Sequence, residues 1–237
     1  MEKLSLNKNW ICYVKGKRET QFATDVPHDA MLLDEKSETS AGGVNTGWIE
    51  AQDYTYERNL HISEKWNGKK LLLEFEGIYR KATVYVNRKK AAYHEYGYTG
   101  FYVDITESVN YGADNEIKVT VVNSDQPNSR WYSGTGIYRP VWLYIFPTEH
   151  ILRDEIRVKT LDYQKKKIAV DVKTTGVGML CTEIFDGEKL IVSKTIQSED
   201  TVENAICDVK EKTVEYHTEM VLEPVSYTHL TLPTKRI

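Results

Sequence analysis

The sequence predicts an all-β protein made of β-sandwiches, and two observations support this prediction. Short segments that alternate apolar and polar residues recur along the chain with turn signals between them, and no long stretch keeps the helical period of about 3.6 residues. Tight turns alternate with long irregular connections, which is more typical of a jelly-roll sandwich than of a meander. With 237 residues, the chain is long enough for two modest domains.

The first region is expected to hold enough strands for two packed sheets. One segment is an unbroken apolar run, which is typical of a strand buried on both faces, and the others alternate. The turn signal Asn67-Gly68 predicts that the strands on either side of it are neighbours. The predicted strands are Tyr54–Ile62, Leu71–Phe75, Ala82–Val86, Phe101–Ile105, Ile117–Val122 and the apolar run Val141–Ile145.

A domain boundary is predicted at Pro147, where a proline and a polar run follow the apolar strand and aromatic density falls. Beyond it, Asp186-Gly187 between two apolar runs predicts a β-hairpin. Strand number and position favour a second sandwich of immunoglobulin type. Its predicted strands are Ile156–Val158, Ile168–Val172, Cys181–Phe185, Leu190–Val192, Val202–Val209 and Tyr216–Leu222.

Charge and cysteine content argue against several classes of partner. The net charge is −4 and the pI is about 5.9, so the chain has no basic field to attract nucleic acid or an anionic membrane. No segment approaches the ~20 apolar residues of a membrane span, and the N-terminus lacks the apolar core of a signal peptide. The cysteines Cys12, Cys181 and Cys207 leave at least one thiol unpaired, which favours a reducing, cytoplasmic location.

A glycine-rich loop precedes the apolar strand and holds most of the functional information. Gly134 and Gly136 permit backbone angles closed to other residues, and large polar and aromatic side chains crowd around them. Sugars are bound by aromatic faces together with planar hydrogen-bonding groups, and both are present here. The candidate sugar contacts in this loop are Asp125, Asn128, Arg130, Trp131 and Tyr132.

Other chemistries are disfavoured by the same residues. Gly134-Thr135-Gly136 begins like a dinucleotide fingerprint, but Arg139 occupies the position of the third glycine and a strand follows instead of a helix. The six histidines show no metal-ligand spacing, so neither a metal nor a cofactor is expected. His28-Asp29 is accompanied by no serine in a nucleophile elbow, and a structural hydrogen bond between the two is favoured. Core packing is favoured for the tyrosine-rich segment with Tyr93, Tyr96, Tyr98, Phe101 and Tyr102.

The segment Arg130–Arg139, which reads RWYSGTGIYR, resembles an element of the N-terminal sugar-binding domain of glycoside hydrolase family 2. Further segments match in the family's order and cover nearly all of residues 1–146, which makes the resemblance specific. They are Leu4–Trp10 as the first strand, Val26–Asp29, Tyr54–Arg58, Leu73–Gly77 with Val84–Asn87, and Gly97–Phe101 with Asp104–Thr106.

The resemblance implies a domain organisation. Residues 1–147 would form the galactose-binding-like jelly-roll domain, and residues 148–224 an incomplete immunoglobulin-like sandwich. The catalytic glutamates of the family lie in a downstream (β/α)₈ barrel, so this chain would hold no catalytic residue and would be inactive alone. Residues 225–237 depart from the family pattern and are expected to be a scar of cloning or assembly, with a short native tail as the alternative.

The resemblance also implies a function for the parent protein. It would be a homo-oligomeric β-galactosidase acting with retention, or alternatively a β-glucuronidase, whose first-domain loops reach the sugar. Asn45, in the other long connection, would then join the five loop residues as rim contacts with carbohydrate. In the structural interpretation the loop is scaffold instead, with His28, Asp29, Gly134, Gly136 and Arg139 in structural roles and Arg139 bound to a buried carboxylate. A freestanding carbohydrate-binding module and a purely structural sandwich are the rival classes.

Overall fold

A computed structural model of the chain describes residues 1–152, 155–165, 167–199, 203–208 and 217–223. No α-helix occurs among these residues, and the predicted all-β class is confirmed. The chain divides into two compact units, the first comprising Glu2–Ile145 and the second beginning at Phe146. Four short 3₁₀ turns interrupt the strands of the first unit, at Arg18–Thr20, Ala30–Leu33, Gly43–Thr46 and Glu64–Trp66.

The first unit is built from ten strands in two sheets. In chain order these are β1 (Glu2–Ser5), β2 (Trp10–Val14), β3 (Phe22–Thr24), β4 (Tyr54–Ile62), β5 (Lys70–Phe75), β6 (Ala82–Val86), β7 (Lys89–His94), β8 (Phe101–Asp104), β9 (Ala113–Val121) and β10 (Val141–Phe146). One sheet has the order β1-β10-β5-β8, and the other has the order β3-β2-β4-β9-β6-β7. Every pair in the six-stranded sheet is antiparallel.

The two sheets of the first unit pack face to face around one apolar core. Strand β9 shows the reason, because its alternate residues Ile117, Val119 and Val121 are buried while those between them are not. Trp10 of the six-stranded sheet and Phe75 of the four-stranded sheet belong to the same buried cluster. The period-2 pattern in the sequence therefore produces the sandwich directly.

The predicted pairing of the strands around Asn67-Gly68 is wrong. The turn exists, since Gly68 has a φ of 81°, but β4 and β5 lie in different sheets. A 3₁₀ turn between them buries Trp66 in the core, and the chain crosses there from one sheet to the other. A tight hairpin would leave this large indole without a place in the core.

The single first strand predicted at Leu4–Trp10 is also wrong. Strand β1 ends at Ser5 and pairs with β10, whereas β2 begins at Trp10 and pairs with β4 in the other sheet. Between them, Asn9 has a φ of 63°, which extended backbone does not allow. The Trp10 indole Nε1 donates a hydrogen bond of 2.7 Å to the Leu6 carbonyl, which holds the bend.

The second unit is described through six strands in two three-stranded sheets. Their order along the chain is β11 (Arg157–Asp162), β12 (Lys167–Val172), β13 (Val177–Asp186), β14 (Lys189–Glu199), β15 (Glu203–Asp208) and β16 (His217–Glu223). The sheets have the orders β11-β12-β15 and β14-β13-β16, and Val170 of one shares a buried cluster with Leu180 of the other. The predicted hairpin at Asp186-Gly187 is confirmed, with Gly187 at a φ of 57°. The predicted tail, residues 225–237, lies outside the described residues.

We expect Phe75→Ala to destabilise the first unit by about 3–5 kcal/mol, because it empties a fully buried site. The Phe75 ring stacks on Phe101 with centroids 5.3 Å apart, so the cavity cannot close without moving a second ring. Denaturant unfolding of the variant measures this loss. Tyr163→Ala, at a residue that is 76% exposed in the second unit, is the control and should change stability by less than about 0.5 kcal/mol.

Candidate functional site

The glycine-rich loop, residues 123–140, is held in place by the carboxylate of Asp29. Its Oδ1 accepts hydrogen bonds from the backbone N–H groups of Thr135 at 2.8 Å and Met31 at 3.1 Å. Its Oδ2 accepts from the Tyr132 hydroxyl at 2.5 Å. The carboxylate thus joins the long connection after β3 to a loop more than one hundred residues away in sequence.

The two glycines of the loop allow this close approach. Gly134 has a φ of +70°, and a Cβ there would lie 2.8 Å from Asp29 Oδ2. Gly136 has a φ of +132°, and its Cβ would lie 2.2 Å from the Tyr56 hydroxyl. Neither position accepts a side chain without moving its neighbours, which is the physical reason for glycine at both.

A second anchor lies at the start of the loop, where the Asn123 side chain is fully buried. Its Nδ2 donates to the Gly134 carbonyl at 3.0 Å and to Thr135 Oγ1 at 2.6 Å. The backbone N–H of Asn123 and that of Ser124 both donate to Asp53 Oδ1. Burial raises the pKa of the Asp53 carboxyl, but hydrogen bonds from Ser124 and Lys15 outweigh it and lower the pKa. Sequence reasoning missed Asn123 and Asp53, because neither belongs to a periodic pattern.

His28 lies behind the loop and contacts Tyr56 instead of Asp29. Its Nδ1 is 2.8 Å from the Tyr56 hydroxyl, and burial lowers the pKa of the imidazole despite the nearby Asp29 carboxylate. The predicted hydrogen bond between His28 and Asp29 is therefore wrong, because donors of the glycine-rich loop bind the Asp29 carboxylate instead. Cys12 lies in the same buried region, where burial raises its pKa to about 12.

Arg139 does not bind the buried carboxylate predicted for it. The side chain is exposed, and its guanidinium carbon lies 5.7 Å from the centroid of the Tyr138 ring. No carboxylate of the described residues is within ion-pair distance of Arg139. The acidic anchor of the loop is Asp29, and the loop presents backbone N–H groups to it, so no arginine is needed there.

Three of the six predicted sugar contacts make bonds within the scaffold. The Tyr132 hydroxyl donates a hydrogen bond to Asp29, and the Asp125 carboxylate forms an ion pair with Lys81 Nζ at 2.5 Å. That bond is the main reason why the pKa of Asp125 is lowered. The Asn128 Oδ1 accepts from the Tyr79 hydroxyl at 3.1 Å, and its Nδ2 donates to Asn123 Oδ1 at 2.9 Å.

The other three predicted contacts are exposed. Trp131 is 62% exposed, and its indole Nε1 lies 3.4 Å from the Tyr98 hydroxyl. Arg130, beside it, has no ion-pair or hydrogen-bond partner for its side chain among the described residues. Asn45 lies in the 3₁₀ turn Gly43–Thr46, and no hydrogen bond within the described part of the chain joins it to the loop. All three side chains are therefore open to solvent.

An aromatic patch, formed by the exposed side chains of Tyr96, Tyr98 and Trp131, continues the surface of the loop, and Tyr98 contacts the buried ring of Tyr79. The Tyr98 ring centroid lies 5.3 Å from that of Tyr79 and 5.7 Å from that of Tyr96. Tyr96 and Tyr98 are 60% and 46% exposed, and Tyr93 is exposed as well, so the core packing predicted for these three is wrong. Tyr96 and Tyr98 follow the end of β7 and flank Gly97, whose missing Cβ makes room for the Tyr79 ring. In the sequence, Gly97 is the residue that indicates that strand β7 has already ended.

The described residues hold neither a cluster of metal-binding side chains nor a membrane-spanning helix. No group of three or more His, Cys, Asp or Glu side chains is placed to hold a metal ion there. No helix in the described part of the chain has the length and apolarity needed to cross a membrane.

Comparison with known proteins identifies the family. Residues 9–141 match a family model described as the glycosyl hydrolase 2 galactose-binding domain-like domain. The chain belongs to glycoside hydrolase family 2. Among family 2 relatives, a β-galactosidase of Bacteroides ovatus is 30% identical over 182 residues, which are 73% of this chain and 21% of the relative. A β-glucuronidase of Bacteroides fragilis is 31% identical over 219 residues, which are 80% of this chain and 29% of the relative.

Solved structures agree on the fold. A β-glycosidase from Bacteroides vulgatus aligns with a TM-score of 0.83 at 21% identity, covering all of this chain and 33% of that one. A family 2 member from Bacteroides cellulosilyticus aligns with a TM-score of 0.81 at 23% identity, covering 100% and 35%. This family 2 chain therefore spans only about a fifth to a third of the length of the relatives it matches.

We expect Asp29→Ala to destabilise the first unit by about 4.5 kcal/mol or more, because a charged hydrogen bond contributes about 1.5–3 kcal/mol and three are lost. Tyr132→Phe removes only one of them and should cost about 1.5 kcal/mol. Denaturant unfolding of both variants measures the difference. Equal losses would show that the carboxylate does not join the two segments.

His28 should make the stability of the first unit depend on pH. Burial lowers its pKa below the ordinary value of 6.5, so the stabilisation is present above that pH and is lost as the pH falls through the folded-state pKa. We expect the free energy of unfolding to fall in the window between about pH 6.5 and the lowered folded-state pKa of His28. In His28→Gln, which cannot titrate, the slope in this window should be smaller. An unchanged slope would contradict the assignment.

Proposed function

We propose that this chain is the N-terminal, non-catalytic part of a β-galactosidase that hydrolyses terminal β-D-galactosides with retention. The observation that carries the proposal is the exposed Trp131 on a loop whose backbone is locked by Asp29 and Asn123. An indole held rigidly at a surface offers a sugar an apolar face at little entropic cost. The family match over residues 9–141 supports the carbohydrate substrate.

The acidic residues of the loop support a non-catalytic role for the chain. A retaining glycosidase needs two carboxyl groups about 5 to 5.5 Å apart, one as acid/base and one as nucleophile. Here Asp29 is occupied by three donors of the scaffold, and Asp125 is paired with Lys81, which lowers its pKa and makes it a poor general acid. The two reacting carboxyls are thus assigned to another part of the intact enzyme.

β-Glucuronidase is the second candidate, and Arg130 favours it. An exposed guanidinium without a partner among the described residues is suited to the carboxylate of a uronic acid, with which it can form two parallel hydrogen bonds. The Bacteroides fragilis relative is a β-glucuronidase. The two candidates share the loop and differ in whether Arg130 meets a carboxylate or a hydroxyl group.

The decisive experiment compares this chain with the product of the complete reading frame on nitrophenyl β-D-galactoside and nitrophenyl β-D-glucuronide. We expect the complete product to hydrolyse the galactoside with retention and the chain alone to hydrolyse neither. In the complete product, Trp131→Ala should raise KM about threefold to tenfold, because the variant loses the binding free energy of one aromatic contact with the sugar. Tyr163→Ala, which removes an exposed ring from the second unit, is the matched control and should leave KM unchanged.

Other outcomes point to other functions. Preference for the glucuronide, lost in Arg130→Gln, would replace the galactosidase by the second candidate. Hydrolysis by the chain alone would overturn the non-catalytic assignment. Saturable galactose binding by the chain alone that is lost in Trp131→Ala would favour a freestanding carbohydrate-binding module.

A further inference from the structure

A groove lies on the face of the six-stranded sheet that points away from the core. Its volume is about 770 Å³, within the range of about 300–1,000 Å³ typical of ligand sites. Side chains that stand opposite one another on neighbouring strands cross the sheet in two rows. The first row is Thr55, Thr120 and Thr83, of which the first two line the groove, and the second is Glu57, Lys118 and Tyr85, which all line it. We refer to this surface as the outer groove.

One end of the outer groove is fixed by a charged network around Glu57. The Tyr13 hydroxyl donates to Glu57 Oε1 at 2.5 Å, Arg18 bonds the other oxygen, and Lys118 Nζ lies 3.4 Å from Oε1. Tyr13 and Thr55 are buried although they point outward, so the floor is sunk below the surrounding surface. The groove is thus a preformed concavity with fixed polar groups.

At the other end stand an arginine and a glutamate whose side chains have no partner within the described part of the chain. Arg88 and Glu116 both line the groove, and neither has an ion-pair or side-chain hydrogen-bond partner among the described residues. The lining carries four basic side chains and two acidic ones, but Lys15 pairs with Asp53, and both Arg18 and Lys118 pair with Glu57. Free donors and free acceptors are therefore present together.

The backbone at Arg88 adds an independent observation. Asn87 and Arg88 form the two-residue turn between β6 and β7, with φ values of 48° and 66°. Positive φ at both positions is the geometry of a type I′ turn, in which glycine is strongly preferred at the second position. Arg88 therefore adopts an unfavourable backbone conformation at a position that lines the groove.

We propose that the outer groove is a second carbohydrate site that binds a neutral oligosaccharide. Arg88 donates and Glu116 accepts hydrogen bonds from sugar hydroxyls, the threonines of the floor do both, and the Tyr85 ring meets a C–H face. The site lies on the sheet face opposite the one that supports the glycine-rich loop. It would hold a glycan chain and perform no chemistry on it.

The alternatives fit the lining less well. A peptide would gain most by adding a strand to a sheet edge, but the strands under the groove, β2, β4, β9 and β6, are paired on both sides. An anionic ligand would meet the free Glu116 carboxylate, and three of the four basic side chains of the lining are already paired with Asp53 or Glu57. Sugar hydroxyl groups both donate and accept hydrogen bonds, so they suit the unpaired donor Arg88 and the unpaired acceptor Glu116.

The test is an NMR titration of the chain with β-1,4-linked galactotetraose, and with cellotetraose and trigalacturonate in parallel. We expect saturable shifts from at least one neutral tetrasaccharide, and about tenfold weaker binding in Arg88→Gly and in Glu116→Gln, the loss of one charged hydrogen bond in each. Arg88→Gly suits the turn better than arginine, so its Tm should be equal to or above that of the unchanged chain. Weaker binding therefore cannot come from unfolding.

Two controls separate this site from the one that serves hydrolysis. Lys173→Gln removes an exposed charge from the second unit, and Trp131→Ala alters the glycine-rich loop; neither should change tetrasaccharide binding. In the complete product, Arg88→Gly should leave the hydrolysis of nitrophenyl β-D-galactoside unchanged, so either proposal can fail alone. The inference is overturned if no neutral tetrasaccharide binds, if trigalacturonate binds more tightly, or if binding survives Arg88→Gly and is lost in Trp131→Ala.

Discussion

The first unit depends on one carboxylate. Asp29 accepts hydrogen bonds from Met31, Tyr132 and Thr135, and its two oxygens thereby join the two long connections. A single charged group can do this because its two oxygens accept several bonds, each stronger than one between neutral groups. The consequence for function is rigidity: a loop without regular structure gains a fixed backbone, and Trp131 can stay exposed without the loop having to collapse around it.

The close approach of the two connections constrains their neighbours. Since Asp29 lies against Gly134, and His28 and Tyr56 lie against Gly136, the loop has no room for side chains at those two positions. The large residues must point outward, and they form the aromatic patch with Tyr96 and Tyr98. This packing constraint explains two observations. Aromatic residues crowd around the glycines in the sequence, and they form an exposed patch in the structure.

The parts of the fold that the sequence predicted are those set by local periodicity and turn chemistry. Strand β4 and the hairpin at Asp186-Gly187 follow from alternation and from a positive-φ turn. The parts it could not predict depend on partners distant in sequence. Nothing local reveals that Trp66 must enter the core between β4 and β5, or that the loop is anchored by Asp29 and not by Arg139. The residue types in the loop were enough to locate the candidate site. Only the structure shows that Tyr132, Asp125 and Asn128 form hydrogen bonds or ion pairs within the scaffold. Trp131 and Arg130, by contrast, face solvent.

Alternation along β4 also explains how one sheet supports two surfaces. Tyr56 points inward to His28 and the glycine-rich loop, whereas its neighbours Thr55 and Glu57 point outward into the groove. A change on one face therefore leaves the side chains of the other in place, and the two surfaces are coupled only through the backbone. Because β4 is paired on both sides from Tyr54 to Glu57, where it carries both surfaces, its backbone there resists deformation. A scaffold of this kind can change what its outer face binds while the anchoring of its loop stays the same.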